Sequence, residues 1–199
     1  PDQIFRWISA TLAREGLSSW GEVLDAGTGK SSLCWIVRHS PARVDAVTAA
    51  SSGIYSQQVA QRVARGANAQ VDVVLGNWRD AELLRGRTYD VVVADFLIGA
   101  VEGFWPFGQD AVLDKLLRLV RPGGYLLFVG LEPYELLFHP TDPVRRIEAL
   151  GDAAALLSGT SGSSYREMPQ AWVRRQLEKS PGFRLVDSRE FPSELGPTY

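Results

Sequence analysis

The stretch Val23-Leu24-Asp25-Ala26-Gly27-Thr28-Gly29-Lys30 constrains the fold more than any other in this chain. An apolar run ends there in an acid and two closely spaced glycines. A second apolar run, Leu33-Cys34-Trp35-Ile36-Val37, follows at once. Gly27 and Gly29 lack the Cβ that would block a sharp turn or a close ligand. A helix starting just after them brings unpaired N–H groups and a partial positive charge to the same place. Strand, glycine turn and helix in that order build one edge of a nucleotide-like site.

The rest of the chain alternates in the same way. An amphipathic helix is predicted over residues 1–16, with Ile4, Phe5, Ile8 and Leu12 on one face. Strands are predicted over 22–26, 43–48, 70–75, 89–95 and 125–129, with helices over 30–39, 52–65, 80–84 and 109–120. Val91-Val92-Val93-Ala94 is the apolar run of a strand covered on both faces. Arg121-Pro122-Gly123-Gly124 stops the helix that carries Val112, Leu113, Leu116, Leu117 and Val120. Two more helices, over 144–157 and 170–179, flank a glycine–serine loop at 158–164, and a sixth strand is expected over 183–191. Strands alternating with helices give a parallel sheet. The expected fold is a three-layer α/β/α sandwich with a mostly parallel sheet, in one domain. Its parts are an N-terminal helix (1–19), a binding core (20–130), a helical insertion (131–182) and a last strand with tail (183–199).

Composition narrows the function. Net charge is -2 and no basic run exceeds two residues, so no nucleic-acid footprint is present. The single cysteine, Cys34, excludes an internal disulfide and a cysteine-cluster zinc site. No His/Asp/Glu grouping has metal-ligand spacing, so no metal is expected. No apolar run approaches the ~18 residues of a membrane span, and no signal-peptide pattern opens the chain. A soluble protein of a reducing compartment is expected, in the cytoplasm or an organelle lumen or stroma.

Several ligands use glycine turns of this kind. Gly29-Lys30-Ser31 ends like a phosphate-binding P-loop, but the required first glycine is Leu24, inside the strand. A dinucleotide fingerprint finds Ser32 in place of its third small residue. From Trp20 to Gly130 the chain resembles the class I S-adenosylmethionine-dependent methyltransferases. Asp25-Ala26-Gly27-Thr28-Gly29 looks like their first motif. Tyr89-Asp90-Val91-Val92-Val93-Ala94-Asp95 looks like their fourth strand, and Leu119 to Phe128 like their passage into strand five. The resemblance implies S-adenosylmethionine as cofactor and a seven-stranded sheet whose reversed seventh strand the chain would stop short of. Asp25 would face the methionine ammonium, and the backbone of Gly27, Thr28 and Gly29 would lie along the ligand. Thr48, 21 positions beyond Gly27, stands where the family has a ribose-gripping acid. Asn77 and Trp78 stand where it holds adenine, and Asp95 and Phe96 follow at the end of strand four.

The acceptor site of such a sheet lies beyond the carboxyl ends of its strands. Trp105 and Phe107 line an acceptor pocket there or pack the next helix, and Tyr134 leaves strand five on the same side. His139 is a general base or a loop residue. Tyr165 and Arg166 close over the acceptor or form a helix start. Strand four lacks the Asp/Asn-Pro-Pro-Tyr/Phe signature of base methyltransferases, which argues for a small-molecule acceptor over DNA. Methyl transfer competes with a catalytically silent structural or assembly subunit, whose exposed sheet edge a partner protein or a second copy would cover. A nicotinamide-dependent oxidoreductase ranks third.

Overall fold

A computed structural model describes residues 2–49, 53–66, 69–132 and 165–192. Five strands, β1 (Glu22–Asp25), β2 (Arg43–Ala49), β3 (Gln70–Gly76), β4 (Tyr89–Asp95) and β5 (Val120–Val129), form one sheet in the order β3-β2-β1-β4-β5. Every pairing is parallel. The helices are α1 (Asp2–Arg14), α2 (Lys30–Val37), α3 (Gly53–Gly66), α4 (Leu97–Ala100), α5 (Gln109–Leu119) and α6 (Gln170–Glu178), with a 3-10 turn over Val101–Gly103. The expected three-layer parallel architecture is present.

Strand periodicity divides the core. Val23, Val91 and Val93 point to one face, where Phe5, Ile8, Leu33 and Ile36 of α1 and α2 cover them. Leu24, Val92 and Ala94 point to the other, against Leu113, Leu116 and Leu117 of α5 and Trp172 of α6. Side chains alternate across a strand, so a sheet sealed on both faces needs the unbroken apolar runs seen in the sequence. Each such fully buried side chain contributes about 1.5–3 kcal/mol.

Three elements depart from expectation. Residues 80–86 form successive turns, with Asp80 N–H bonded to Asn77 O (2.8 Å), Leu83 N–H to Asp80 O (3.2 Å) and Arg87 N–H to Leu84 O (3.0 Å), and Leu84 at φ 61 departs from helix. Asp80 Oδ1 accepts the Glu82 N–H at 2.9 Å, a local bond that competes with helix. Strand β5 begins earlier than predicted. Val120 pairs with Tyr89, the register then jumps to Tyr125 with Val91, and Arg121 to Gly124 bulge out between them. Gly124 must be glycine there, since a Cβ would sit 2.7 Å from Asp90 O. Residues 183–192 carry no strand. Asp187 bonds Arg14 and Arg184 bonds Glu15, each at 3.1 Å, and the Phe191 ring meets Trp7 edge-on. These contacts lay the segment on the C-terminal part of α1, leaving Leu185 and Val186 exposed. Among the described residues β3 and β5 are therefore the sheet's edges, and the expected sixth strand is not formed over residues 183–192.

Asp45 anchors the amino-end side of the sheet. It is 1% exposed and accepts the Tyr89 hydroxyl at 2.5 Å, the Arg43 guanidinium at 3.1 Å, and Arg87. Next to it, Arg121 on the bulge bonds Glu22 (2.5 Å) and Asp90 (2.9 Å). A cleft of about 220 Å³ lies among these groups. Their charges are already matched to one another, which makes the cleft part of the scaffold.

Candidate functional site at the carboxyl ends of the strands

The order β3-β2-β1-β4-β5 places the topological switch point between β1 and β4, where open α/β sheets bind ligands. Asp25 ends β1 there, paired with Ala46 and Val93. Two bonds hold the turn that follows: Ala26 N–H to Val93 O (2.8 Å) and Thr28 N–H to Val47 O (2.9 Å). Ser32, one turn into α2, donates to Asp25 Oδ2 at 3.1 Å and accepts the Gly29 N–H at 3.2 Å. The other carboxylate oxygen, Asp25 Oδ1, is buried and has no protein partner.

Burial dominates the electrostatics. It lifts the Asp25 carboxyl to about 7, with the bond from Ser32 opposing and the charge of Asp95 adding to it. Asp95, at the end of β4, is raised to about 6 by burial. Both carboxyls are thus poised to change charge near neutrality, a property concentrated at functional sites.

The two glycines differ in surroundings. A Cβ at Gly29 would touch only Ser32 Oγ, at 3.8 Å, so this side of the turn is open. At Gly27 it would lie 3.2 Å from Leu97 Cδ1, so α4 packs closely on that side. Phe96 begins α4 at φ 52 with its N–H on Val129 O (2.9 Å).

The remaining cofactor candidates are placed as follows. Thr48 is 3% exposed, beside the Val47 carbonyl that holds the turn. Asn77 is exposed, and its Oδ1 accepts the Arg79 N–H at 3.0 Å. Trp78 is buried beneath the turn, donating its indole N–H to Ala26 O at 3.0 Å with Lys115 Nζ 5.6 Å from its ring. Leu83 packs on Gly76, where a Cβ would overlap it.

Two of the acceptor candidates, Phe107 and Arg166, meet at Glu102. This acid is 2% exposed and accepts Gln109 Nε2 (2.8 Å) and Phe107 N–H (3.1 Å), with Arg166 Nε 3.3 Å away. Burial raises its pKa, but those hydrogen bonds and the Arg166 charge outweigh burial and leave it below the usual carboxylate value. Arg166 also covers the Phe107 ring at 4.9 Å. Phe107 is 75% exposed at φ 60, while Trp105 is half-buried with Arg79 5.9 Å from its ring. Tyr165 is exposed. Tyr134 and His139, with the expected helix over 144–157, lie outside the described residues. Replacing Glu102 by Gln should lower stability by about 1–2 kcal/mol, read as a fall in Tm, because Arg166 loses its charged partner.

Sequence reasoning missed Ser32 as the partner of Asp25, Glu102 as a buried acid and Glu167 as a half-buried one. Glu167 gave no signal because Gly99 and Leu131, on which it lies, are distant in sequence, and the Glu102 contact with Arg166 is distant likewise. Ser32 lies in the first turn of α2, seven positions after Asp25 and just past the glycine turn, so the short strand–turn–helix link was the one signal that could have pointed to it. Among the described residues no cluster of three metal-ligating side chains occurs, and no helix is long and apolar enough to cross a membrane.

The backbone is similar to that of an O-methyltransferase family protein from Burkholderia thailandensis, with TM-score 0.57 and 17% identity. The match covers 81% of this chain but 45% of that one, so this chain spans less than half the other's length. At that identity the likeness shows the fold, and the fold is methyltransferase-like. A protein from Pyrococcus horikoshii OT3 (22% identity, covering 67% of this chain and 57% of that one) has TM-score 0.43. PKMT2 from Rickettsia typhi (14% identity, covering 85% and 33%) has the same score. At that level of superposition they add nothing to the fold assignment. No protein-family model matches the chain, and no curated protein does.

Proposed function

We propose that this chain transfers a methyl group from S-adenosylmethionine to a small-molecule acceptor. The observation that carries the reading is Asp25: a fully buried acid at the switch point, with one carboxylate oxygen unpartnered beneath a glycine turn. An ammonium group is the natural partner of such an oxygen, and the open face of Gly29 admits a ligand along the backbone. The methionine end of the cofactor fits these residues. At the adenosine end Thr48 and Asn77 are neutral where charged acceptors would bind more tightly, and each missing charge-assisted bond weakens binding by about 1–2 kcal/mol. S-adenosylmethionine, when bound, supplies a methyl group on a sulfonium whose leaving group is a thioether. The protein's part is to hold Asp25 ionised against the ammonium, align the acceptor and exclude water.

Calorimetry with S-adenosylhomocysteine should give micromolar binding that tightens from pH 6 to pH 8, as Asp25 ionises. No heat at either pH overturns the reading. The close packing of Leu97 on Gly27 favours a second reading, a methyltransferase-like structural subunit that binds no cofactor. That absence of heat is the result it expects.

A further inference from the structure

We propose that Glu167 takes the proton from the methyl acceptor, and that this acceptor carries a phenol-like aromatic hydroxyl. The step rests on the transferase reading above.

Placement carries it. Gly99 in α4 has no Cβ, and a Cβ there would overlap the Glu167 carboxylate, so the acid lies directly on the backbone of α4. Its Oε2 accepts the Leu131 N–H at 3.4 Å and would be 3.5 Å from a Cβ at Gly130. The carboxylate thus bridges the segments leaving β4 and β5, at the same end of the sheet as the glycine turn. Its neighbour Arg166 is committed elsewhere. The Arg166 N–H bonds Gly99 O at 3.0 Å, and its side chain sits on Glu102 and Phe107. The strap is fixed beyond as well, since the Gln170 N–H bonds Glu132 Oε1 at 2.7 Å. The charged groups on the elements around Glu167 are Asp95 and Glu102 after β4, Glu132 after β5, and Arg166 on the strap.

Three exposed rings share this end of the molecule. Phe96 (φ 52) and Phe107 (φ 60) are both left-handed, a conformation costly for bulky residues and concentrated at ligand sites. Tyr165 precedes Arg166 on the strap and is 66% exposed. Aromatic rings beside acids suit a neutral ring hydroxyl and repel carboxylates and phosphates. Burial raises the Glu167 pKa, which suits a proton acceptor working near neutrality. As the acceptor oxygen forms its bond to the methyl carbon, its proton passes to a Glu167 oxygen. The carbon–sulfur electron pair returns to sulfur, and the sulfonium donor leaves as a thioether.

The test uses wild type, Glu167→Gln and Gly99→Ala with S-adenosylmethionine and a series of phenols, beside carboxyl NMR of the cofactor-free protein. Glu167→Gln should lower kcat on phenol about 100-fold or more, with unchanged affinity for S-adenosylhomocysteine. Activity should return with 4-nitrophenol, which is largely ionised without a base. Gly99→Ala displaces the flexible acid without removing it, so it should lose activity likewise and let the Glu167 carboxyl titrate lower. Phenol alone should shift the Glu167 carboxyl signal in wild type and not in Gly99→Ala. Full activity in Glu167→Gln, no phenol methylated by a wild type that binds S-adenosylhomocysteine, or an unmoved carboxyl signal overturns the proposal. A wild type that fails to bind S-adenosylhomocysteine overturns the transferase reading, and this step with it.

Discussion

Asp25→Asn should make the protein more stable at pH 8 and poorer at holding the cofactor proposed above. The folded pKa of Asp25, about 7, lies far above the value of 3.8 for a free aspartate, so the folded state favours the protonated acid. The stability this contributes is complete below about pH 4 and is lost as pH rises through about 7. At pH 8 the wild type carries a buried carboxylate whose Oδ1 has no partner. Replacing it by a neutral isostere should recover on the order of 2–4 kcal/mol there and little at pH 4. Thermal melts at the two pH values read the difference directly. Under the proposed reading the same change removes a charged hydrogen bond to the ligand ammonium and should weaken S-adenosylhomocysteine about 10–100-fold. An Asp25→Asn protein with the wild-type pH profile would show that this carboxyl is not the titrating group.

The second large effect is expected at Asp45→Ala. The substitution strips the buried Tyr89 hydroxyl of its acceptor and leaves Arg43 and Arg87 facing each other. Breaking a buried pair on one side costs about 3–5 kcal/mol. The half-exposed arginines can rehydrate, which brings the expected loss to about 2–4 kcal/mol, or roughly 4–16 °C in Tm for a chain of this length. Binding at the opposite end of the sheet should not change beyond what lower stability imposes. A loss under 1 kcal/mol in a denaturant titration would mean that the network adds little.

What the sequence disclosed follows physical range. Val91 to Ala94 and Val23-Leu24 announced central strands because burial on two faces demands an unbroken apolar run. Gly27 and Gly29 marked the turn because backbone geometry is local. The segment 183–191 misled because Phe183, Leu185 and Phe191 give a loose alternation, whereas its ion pairs with Glu15 and Arg14, distant in sequence, decide where it lies. The helix expected over 80–84 is broken by Leu84, a left-handed residue that no propensity marks. At the site, Asp25 was legible through its motif. Its unpaired oxygen, the burial of Trp78 under Ala26 and the seat of Glu167 on Gly99 depend on tertiary neighbours, and a linear reading had no access to them.

The four residues of α4 have a mechanical consequence. Leu97 touches the glycine turn on one side, and Gly99, two positions on, carries the strap's carboxylate on the other. So short a helix moves as a stiff lever. Whatever shoves Leu97 aside must also tilt the floor under Glu167, so a change beside the glycine turn resets the seat of the acid. Under the transferase reading proposed above, methyl donor and acceptor should therefore each report the other's arrival, with reciprocal changes in affinity.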